Sequence, residues 1–161
     1  MGYYPKRKKI RLSPSAYQNK HAFFITIDTY RRHPWFRDYP PLAEFGIRLL
    51  RDLREDRDSS LYAWCLMPDH IHLLLEDRNV LEFLRLFKGR MIAKARSFYP
   101  GRKLWQRSFY DHGLRKEERL VDVASYIWEN PVRKSWVNEA TLYPWSGSME
   151  WKNWRAFFER G

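Results

Sequence analysis

Apolar positions along the chain change their period several times, and those changes outline its elements. Ala22, Phe23, Phe24, Ile25 and Ile27 make His21 to Asp28 a first strand, apolar enough to be central. Pro40 and Pro41 then precede Leu42, Phe45, Leu49 and Leu53, spaced 3, 4 and 4. That spacing predicts a helix with one buried stripe, starting near the prolines and fading in the charged run to Ser60. Leu61 to Met67 is a second strand, Pro68-Asp69 a tight turn and His70 to Glu76 a third strand. Val80, Leu84, Phe87, Met91, Ala95 and Phe98 recur at 4, 3, 4, 4 and 3, predicting a second helix that Pro100-Gly101 ends. Ser108 to Leu114 follows as a fourth strand. Lys116 to Glu129 is a third helix, with Leu120, Val123, Ala124 and Ile127 facing inward and Pro131 as its stop. Trp151, Trp154 and Phe158, spaced 3 and 4, suggest a short closing helix that packs back on the domain.

The order strand, helix, strand, strand, helix, strand matches a split βαβ, ferredoxin-like sandwich. The expected class is therefore α+β: an antiparallel sheet with helices on one face, plus a C-terminal helix that carries a tyrosine, Tyr126. With no internal repeat and no low-complexity linker, the chain divides into a basic arm over residues 1–20, one domain over 21–147 and a helical tail over 148–161.

Composition narrows the class. At 161 residues with 44% apolar and 17% aromatic content, the chain has the material for one core, which excludes disorder over most of its length. No apolar run is long enough to span a membrane, and the N-terminus lacks the apolar stretch of a secretory signal. The single cysteine, Cys65, excludes an internal disulfide and a Cys-based zinc site. A cytoplasmic protein is expected, nucleoid-associated at most, with no membrane partner.

Charge changes the picture more. Thirty Lys and Arg against 19 Asp and Glu leave a net +11, which favours a polyanionic partner, nucleic acid before an anionic membrane. Lys6, Arg7, Lys8, Lys9 and Arg11 form a basic arm. A second block has eight basic residues and no acid: Arg85, Lys88, Arg90, Lys94, Arg96, Arg102, Lys103 and Arg107. Those on the second helix flank its apolar stripe, so they should face solvent or a ligand.

Two histidines supply the first sign of chemistry. His70 and His72 alternate with Ile71 and Leu73 on a strand, so both project from one face and can hold one divalent metal. Two imidazoles with open positions suit a metal that must also bind substrate oxygen. Mg²⁺ or Mn²⁺ fits a phosphate substrate, and Mn²⁺ tolerates imidazole better. On the third helix Tyr126 and Asn130 are four apart and share a face, so Asn130 could offer a neutral third ligand, or simply cap the helix. His112, in Tyr110-Asp111-His112, is a candidate for DNA contact or acid–base work, or a structural histidine at a strand end. Trp105 is expected in the core, with base stacking as its alternative.

Met67-Pro68-Asp69-His70-Ile71-His72 resembles the HUH motif of the single-tyrosine HUH transposases, which include the bacterial REP-associated tyrosine transposases and transposases of small hairpin-ended insertion sequences. Leu104 to His112, Tyr126-Ile127-Trp128-Glu129-Asn130-Pro131-Val132-Arg133 and Tyr143-Pro144-Trp145-Ser146 are similar to the same family, in the same order. The resemblance runs from the first strand to Trp145. It implies that Tyr126 is the nucleophile, His70 and His72 the paired metal ligands and Asn130 the polar ligand that follows the tyrosine. It also implies cleavage and rejoining of single-stranded, hairpin-containing DNA through a 5′-phosphotyrosine, with the basic block holding the backbone. Relatives include dimers that exchange helices and others that act as monomers; the expectation here leans to a homodimer. A lead-in of Lys20-His21-Ala22-Phe23 stands where some relatives have a glycine.

The chemistry is demanding, because bringing a phenol of ordinary pKa to phenolate near pH 7 costs about 4 kcal/mol. Two rival readings keep the same scaffold: a non-catalytic nucleic-acid-binding domain, and a metal-dependent nuclease that uses water and leaves Tyr126 structural.

Overall fold

A computed structural model describes residues 21–115 and 118–159 of the chain. The basic arm at Lys6 to Arg11 lies outside the described residues, as does Lys116, where the third helix was expected to begin.

The sheet has five antiparallel strands in the order β4-β1-β3-β2-β5, so the strand carrying the two histidines lies at its centre, flanked by the two strands richest in apolar residues. β1 (Ala22–Asp28), β2 (Ser60–Met67) and β3 (His70–Glu76) lie where the hydrophobic pattern puts them. β4 (Tyr110–Gly113) is shorter than the expected 108–114. A fifth strand, β5 (Ser146–Gly147), pairs with β2 and has no apolar pattern to reveal it.

Each central strand has two distinct faces. Phe23, Ile25 and Ile27 of β1 and Ile71, Leu73 and Leu75 of β3 share one core with α2 (Pro40–Asp56) and α3 (Val80–Ala95). Two prolines in its first turn start α2, and the Asn79 side chain caps α3 by accepting from the Glu82 backbone N–H at 3.2 Å. The two helices approach closely at Gly46, where an added Cβ would lie 3.0 Å from the Met91 methyl carbon. A short α1 (Trp35–Asp38), absent from the sequence expectation, buries Trp35 and Phe36 in this core. Trp105 is buried there too, its indole N–H donating to the Lys88 carbonyl at 3.2 Å, which is the core role expected of it.

The opposite face carries a second core. Ala22 and Phe24 of β1, Leu74 of β3 and Ala63, Cys65 and Met67 of β2 pack against α4 (Leu120–Trp128). A bulge between Leu61 and Ala63 shifts the register of β2 by one residue, so Leu61 faces one core and Ala63 the other. The fold is thus α+β with a helical layer on each face of the sheet, the tyrosine helix forming the second layer alone with the C-terminal segment. That segment ends in a 3₁₀ turn over Trp154–Phe158, shorter than a full helix, and stacks on Trp128 with ring centroids 4.8 Å apart. Gly147 lets β5 lie against Trp64, since a Cβ there would sit 2.6 Å from the indole. Among the described residues no helix is long and apolar enough to cross a membrane.

One buried charge ties the first layer together. Asp77, at the end of β3, accepts two bonds from the Arg57 guanidinium at 3.1 and 2.8 Å, one from the Ser59 hydroxyl and one from the Asn79 N–H at 2.7 Å. Burial pushes this carboxyl up, but the Arg57, Ser59 and Asn79 bonds outweigh it and hold the group below the usual carboxylate range. Replacing it, as in Asp77→Asn, strands the Arg57 charge and should cost about 3 kcal/mol in urea unfolding at pH 7. Because the folded-state value is depressed, the wild-type advantage should be complete above the ordinary aspartate pKa of about 4 and shrink as pH falls below it. An Asp77→Asn deficit that is the same at pH 3 and pH 7 would contradict this account.

Candidate active site

The pleat of β3 places His70 and His72 on the face covered by α4, with Leu74 next along the same row. Both histidines are buried, 5% and 9% exposed, and their rings stand nearly perpendicular with centroids 4.8 Å apart. Cross-strand register sets their neighbours: Asp28 and Met67 flank His70, while Thr26 and Cys65 flank His72.

Each imidazole is held through Nδ1. His70 Nδ1 lies 2.7 Å from Asp69 Oδ1, and His72 Nδ1 lies 2.9 Å from Thr26 Oγ1. Asp69 is itself fixed by Arg32, whose Nε donates to Oδ2 at 3.1 Å while Nη1 reaches Asp28 at 2.8 Å. Burial raises the Asp69 carboxyl; the His70 bond and the Arg32 charge more than reverse this and leave it below its ordinary value. A carboxylate only accepts, so His70 donates through Nδ1–H. Its Nε2 lies 3.1 Å from Asn130 Nδ2.

Asn130 reaches His70 because the helix is interrupted just before it. Pro131 has no N–H for the Ile127 carbonyl, so α4 ends at Trp128 and a separate turn, α5 (Asn130–Arg133), begins at the asparagine. Arg133 bridges the break. Its Nη2 donates to the Tyr126 carbonyl at 2.7 Å and lies 3.5 Å from Asn130 Oδ1, and its guanidinium carbon stands 3.8 Å from the centroid of the Tyr126 ring. Tyr126 is half-buried on α4 and meets Phe24 edge-on at 6.0 Å; Phe24 in turn lies 5.4 Å from His72. The tyrosine and both histidines thus share one sheet face within a single chain.

Three of the expected residues therefore converge, with the fourth one helical turn away. Among the described residues no three His, Cys, Asp or Glu cluster as a metal site, and the Asn130 amide is the neutral group that lies against His70. Two imidazoles held through Nδ1 suit a divalent cation with open positions, and Asn130 would join them through Oδ1, its amide turned from the Nδ2 contact with His70. Cys65, although beside His72, is no part of it: burial pushes its thiol up to about 12, and it accepts from Ser146 Oγ at 3.3 Å.

The basic block is divided by the fold. Arg85, Lys88, Arg90 and Lys94 lie on α3, with Arg96 just beyond, in the layer on the far side of the sheet from the histidines. Arg85 is paired with Glu82 at 2.6 Å, and Lys94 lies over Phe45 and Phe98. Arg102 and Lys103 belong to the other end, against His33 and Tyr30 in the turn that carries Arg32. Arg107 follows Gln106, whose N–H donates to Asp28 at the end of β1. His112 stands on edge strand β4 opposite Phe24 and 2.8 Å from Glu118, one row away from His72; the β4 residue in the row of His72 is Tyr110.

Thr26, Asp69, Arg32 and Arg133 were not given roles from the sequence. The spacing of seven between Tyr126 and Arg133, two helical turns, is a signal for Arg133. Thr26 required knowledge of cross-strand register, which no local pattern provides.

Residues 17–130 match the family described as transposase IS200 like. A Haemophilus influenzae protein named as a candidate REP-associated tyrosine transposase is 33% identical over 52% of this chain and 56% of its own length. The REP-associated tyrosine transposase of Escherichia coli is 28% identical over 58% of this chain and 57% of its own. The chain thus spans less than two thirds of the length of these curated relatives. A solved structure of a REP-associated tyrosine transposase bound to a REP hairpin shares the fold, with a TM-score of 0.65 at 21% identity over 91% of this chain and 82% of that one.

Arg133→Ala removes the ring contact and the bond to the Tyr126 carbonyl, and should lower stability by about 1 kcal/mol in urea unfolding. Arg133→Lys should recover only part of it, because an ammonium cannot stack and bridge at once. Unfolding midpoints that coincide for all three proteins would show that the bridge contributes nothing.

Proposed function

Because the chain belongs to the transposase IS200-like family, we propose that it cleaves and rejoins single-stranded, hairpin-containing DNA through a covalent bond to Tyr126. The observation that carries this is the meeting of His70, His72 and Asn130 on one sheet face, with Tyr126 one turn before Asn130 and tied to it by Arg133. A binding module has no need of that set.

In the proposed reaction the Tyr126 hydroxyl oxygen attacks the scissile phosphorus and its proton is lost. The bond to the 3′ oxygen breaks, that oxygen takes up a proton, and the 5′ phosphate stays on the tyrosine. A 3′-OH from another end reverses the step, so joining needs no nucleotide cofactor. Phe24 and Arg133 hold the ring from two sides, which limits the orientations the nucleophile must give up.

His70, His72 and Asn130 would hold Mg²⁺ or Mn²⁺, which would supply positive charge against the non-bridging phosphate oxygen. Asp69 and Thr26 orient the two imidazoles for that purpose. The site is built within one chain, which supports cleavage by a monomer as readily as by a homodimer. The hairpin as ligand is carried over from the relative bound to a REP hairpin.

The decisive experiment is a denaturing gel. Labelled hairpin oligonucleotides from the DNA flanking the gene are incubated with Mn²⁺ or Mg²⁺ and either wild-type protein or Tyr126→Phe. Label that stays on the wild-type protein through denaturation, and is absent with Tyr126→Phe, is the expected result. Cleavage made equally well by both proteins would identify a water-using nuclease. Salt-sensitive binding without any adduct would identify a binding module.

The metal reading has its own check. Thr26→Val keeps the strand but removes the hydroxyl on His72, so Mn²⁺ affinity by titration calorimetry should fall about 10- to 100-fold. Heats of binding that match wild type would remove Thr26 from the site.

A further inference from the structure

A pocket of about 330 Å³ opens beside His70. Its wall is formed by Arg32, Arg37, Asp69, His70, Lys134 and Trp136. Three cations and one acid line it; Arg32 pairs with Asp28 and Asp69 and Arg37 with Asp38, which leaves Lys134 as the cation with no acid on the pocket wall beside it, and the long basic block on α3 lies elsewhere. Its volume is near the lower end for small-ligand pockets, about 300–1,000 Å³, which suits one nucleotide and not a duplex.

Trp136 is the unusual member. It is 50% exposed, whereas Trp35, Trp64, Trp105, Trp128 and Trp154 are all buried. Its position is set by backbone: its N–H donates to the Pro131 carbonyl at 2.9 Å, and the preceding Ser135 adopts a φ of 61°. Across the pocket Arg31 and Arg32 also have positive φ, 53° and 56°. Non-glycine residues are uncommon in that region, and here they stand at or beside two residues that line the pocket, Arg32 and Trp136. An indole face held in water is a stacking platform for a planar ring.

The pocket shares His70 with the candidate metal site, and Lys134 and Trp136 follow Asn130 by only four and six residues. We propose that it holds the nucleotide next to the scissile phosphate of a single strand, the base stacked on Trp136 and the phosphate met by Lys134 and Arg37. This rests on the proposed cleavage of single-stranded DNA and deepens it. Lys134 is exposed at the surface and Arg37, paired with Asp38 at 3.2 Å, keeps an exposed guanidinium, while Arg32 is braced by Asp28 and Asp69 and acts as a fixed wall. Stacking tolerates any base, so the pocket fixes where the strand lies and leaves sequence choice to other contacts. A paired base in a duplex has both faces covered and is excluded.

The test uses full-length Tyr126→Phe protein, so that DNA is bound without being consumed. Affinity for a labelled hairpin with single-stranded flanks is measured by fluorescence anisotropy, with Trp136→Ala or Trp136→Phe added. Trp136→Ala should weaken binding about 10-fold, and Trp136→Phe should restore most of it. A series of oligonucleotides with one abasic position each should contain one position whose loss weakens the parent but not the Trp136→Ala protein. That position should adjoin the cleavage site mapped with wild-type protein. Circular dichroism confirms folding, and a surface residue makes that the expected outcome. Equal affinity of the parent and Trp136→Ala, or no abasic position coupled to Trp136, overturns the pocket even if the phosphotyrosine adduct forms. Coupling to Trp136 without any wild-type adduct supports a single-strand pocket and overturns the cleavage reading, so the two failures are distinguishable.

Discussion

The hydrogen bond from Asn130 to His70 joins the end of the second helical layer to the central strand, and the candidate site depends on it. It is possible only because Pro131 interrupts the helix and Arg133 closes the gap. From it a continuous chain of contacts runs outward, from Asn130 through His70 to Asp69 and Arg32 on one side, and through Arg133 to Tyr126 on the other. In a low-dielectric interior such chains strengthen one another, and losing one member leaves a buried partner unsatisfied. The tyrosine is thereby mechanically coupled to the histidines.

The sheet separates two tasks by its pleat. Ile71, Leu73 and Leu75 build the larger core with α2 and α3, while His70 and His72 turn the other way. Side chains one residue apart therefore serve stability and chemistry independently. The bulge in β2 makes this hold for the neighbouring strand as well, bringing Cys65 and Met67 under α4 as apolar flooring for the histidines. Buried and protonated, Cys65 fills space there without competing as a ligand.

Charge is distributed less simply than its linear pattern implies. A run of basic residues without acids looks like one surface, yet α3 carries half of it to the far layer while Arg102 and Lys103 return to the turn at Tyr30 and His33. Beside His70 the positive character comes from residues scattered through the chain, Arg32, Arg37 and Lys134. A long substrate can use both regions, the near one for position and the far one for general attraction.

Local pattern determined the strands from His21 to Asp28, Leu61 to Met67 and His70 to Glu76 to within a residue, and the stripes of α2 and α3, because the two-residue and 3.6-residue periods need only neighbours along the chain. It also placed His70 with His72 and Tyr126 with Asn130, since each pair lies within one element. What it left out needed contacts between elements: β5, the buried turn at Trp35 and Phe36, Thr26 against His72, and the pocket at Trp136. A cross-strand register joins residues 46 positions apart, as Thr26 and His72 are, and no local period encodes such a distance. Tertiary structure alone decided that Asn130 faces His70 instead of capping a helix in water, because only packing α4 onto β2 and β3 removes the solvent that would otherwise satisfy both.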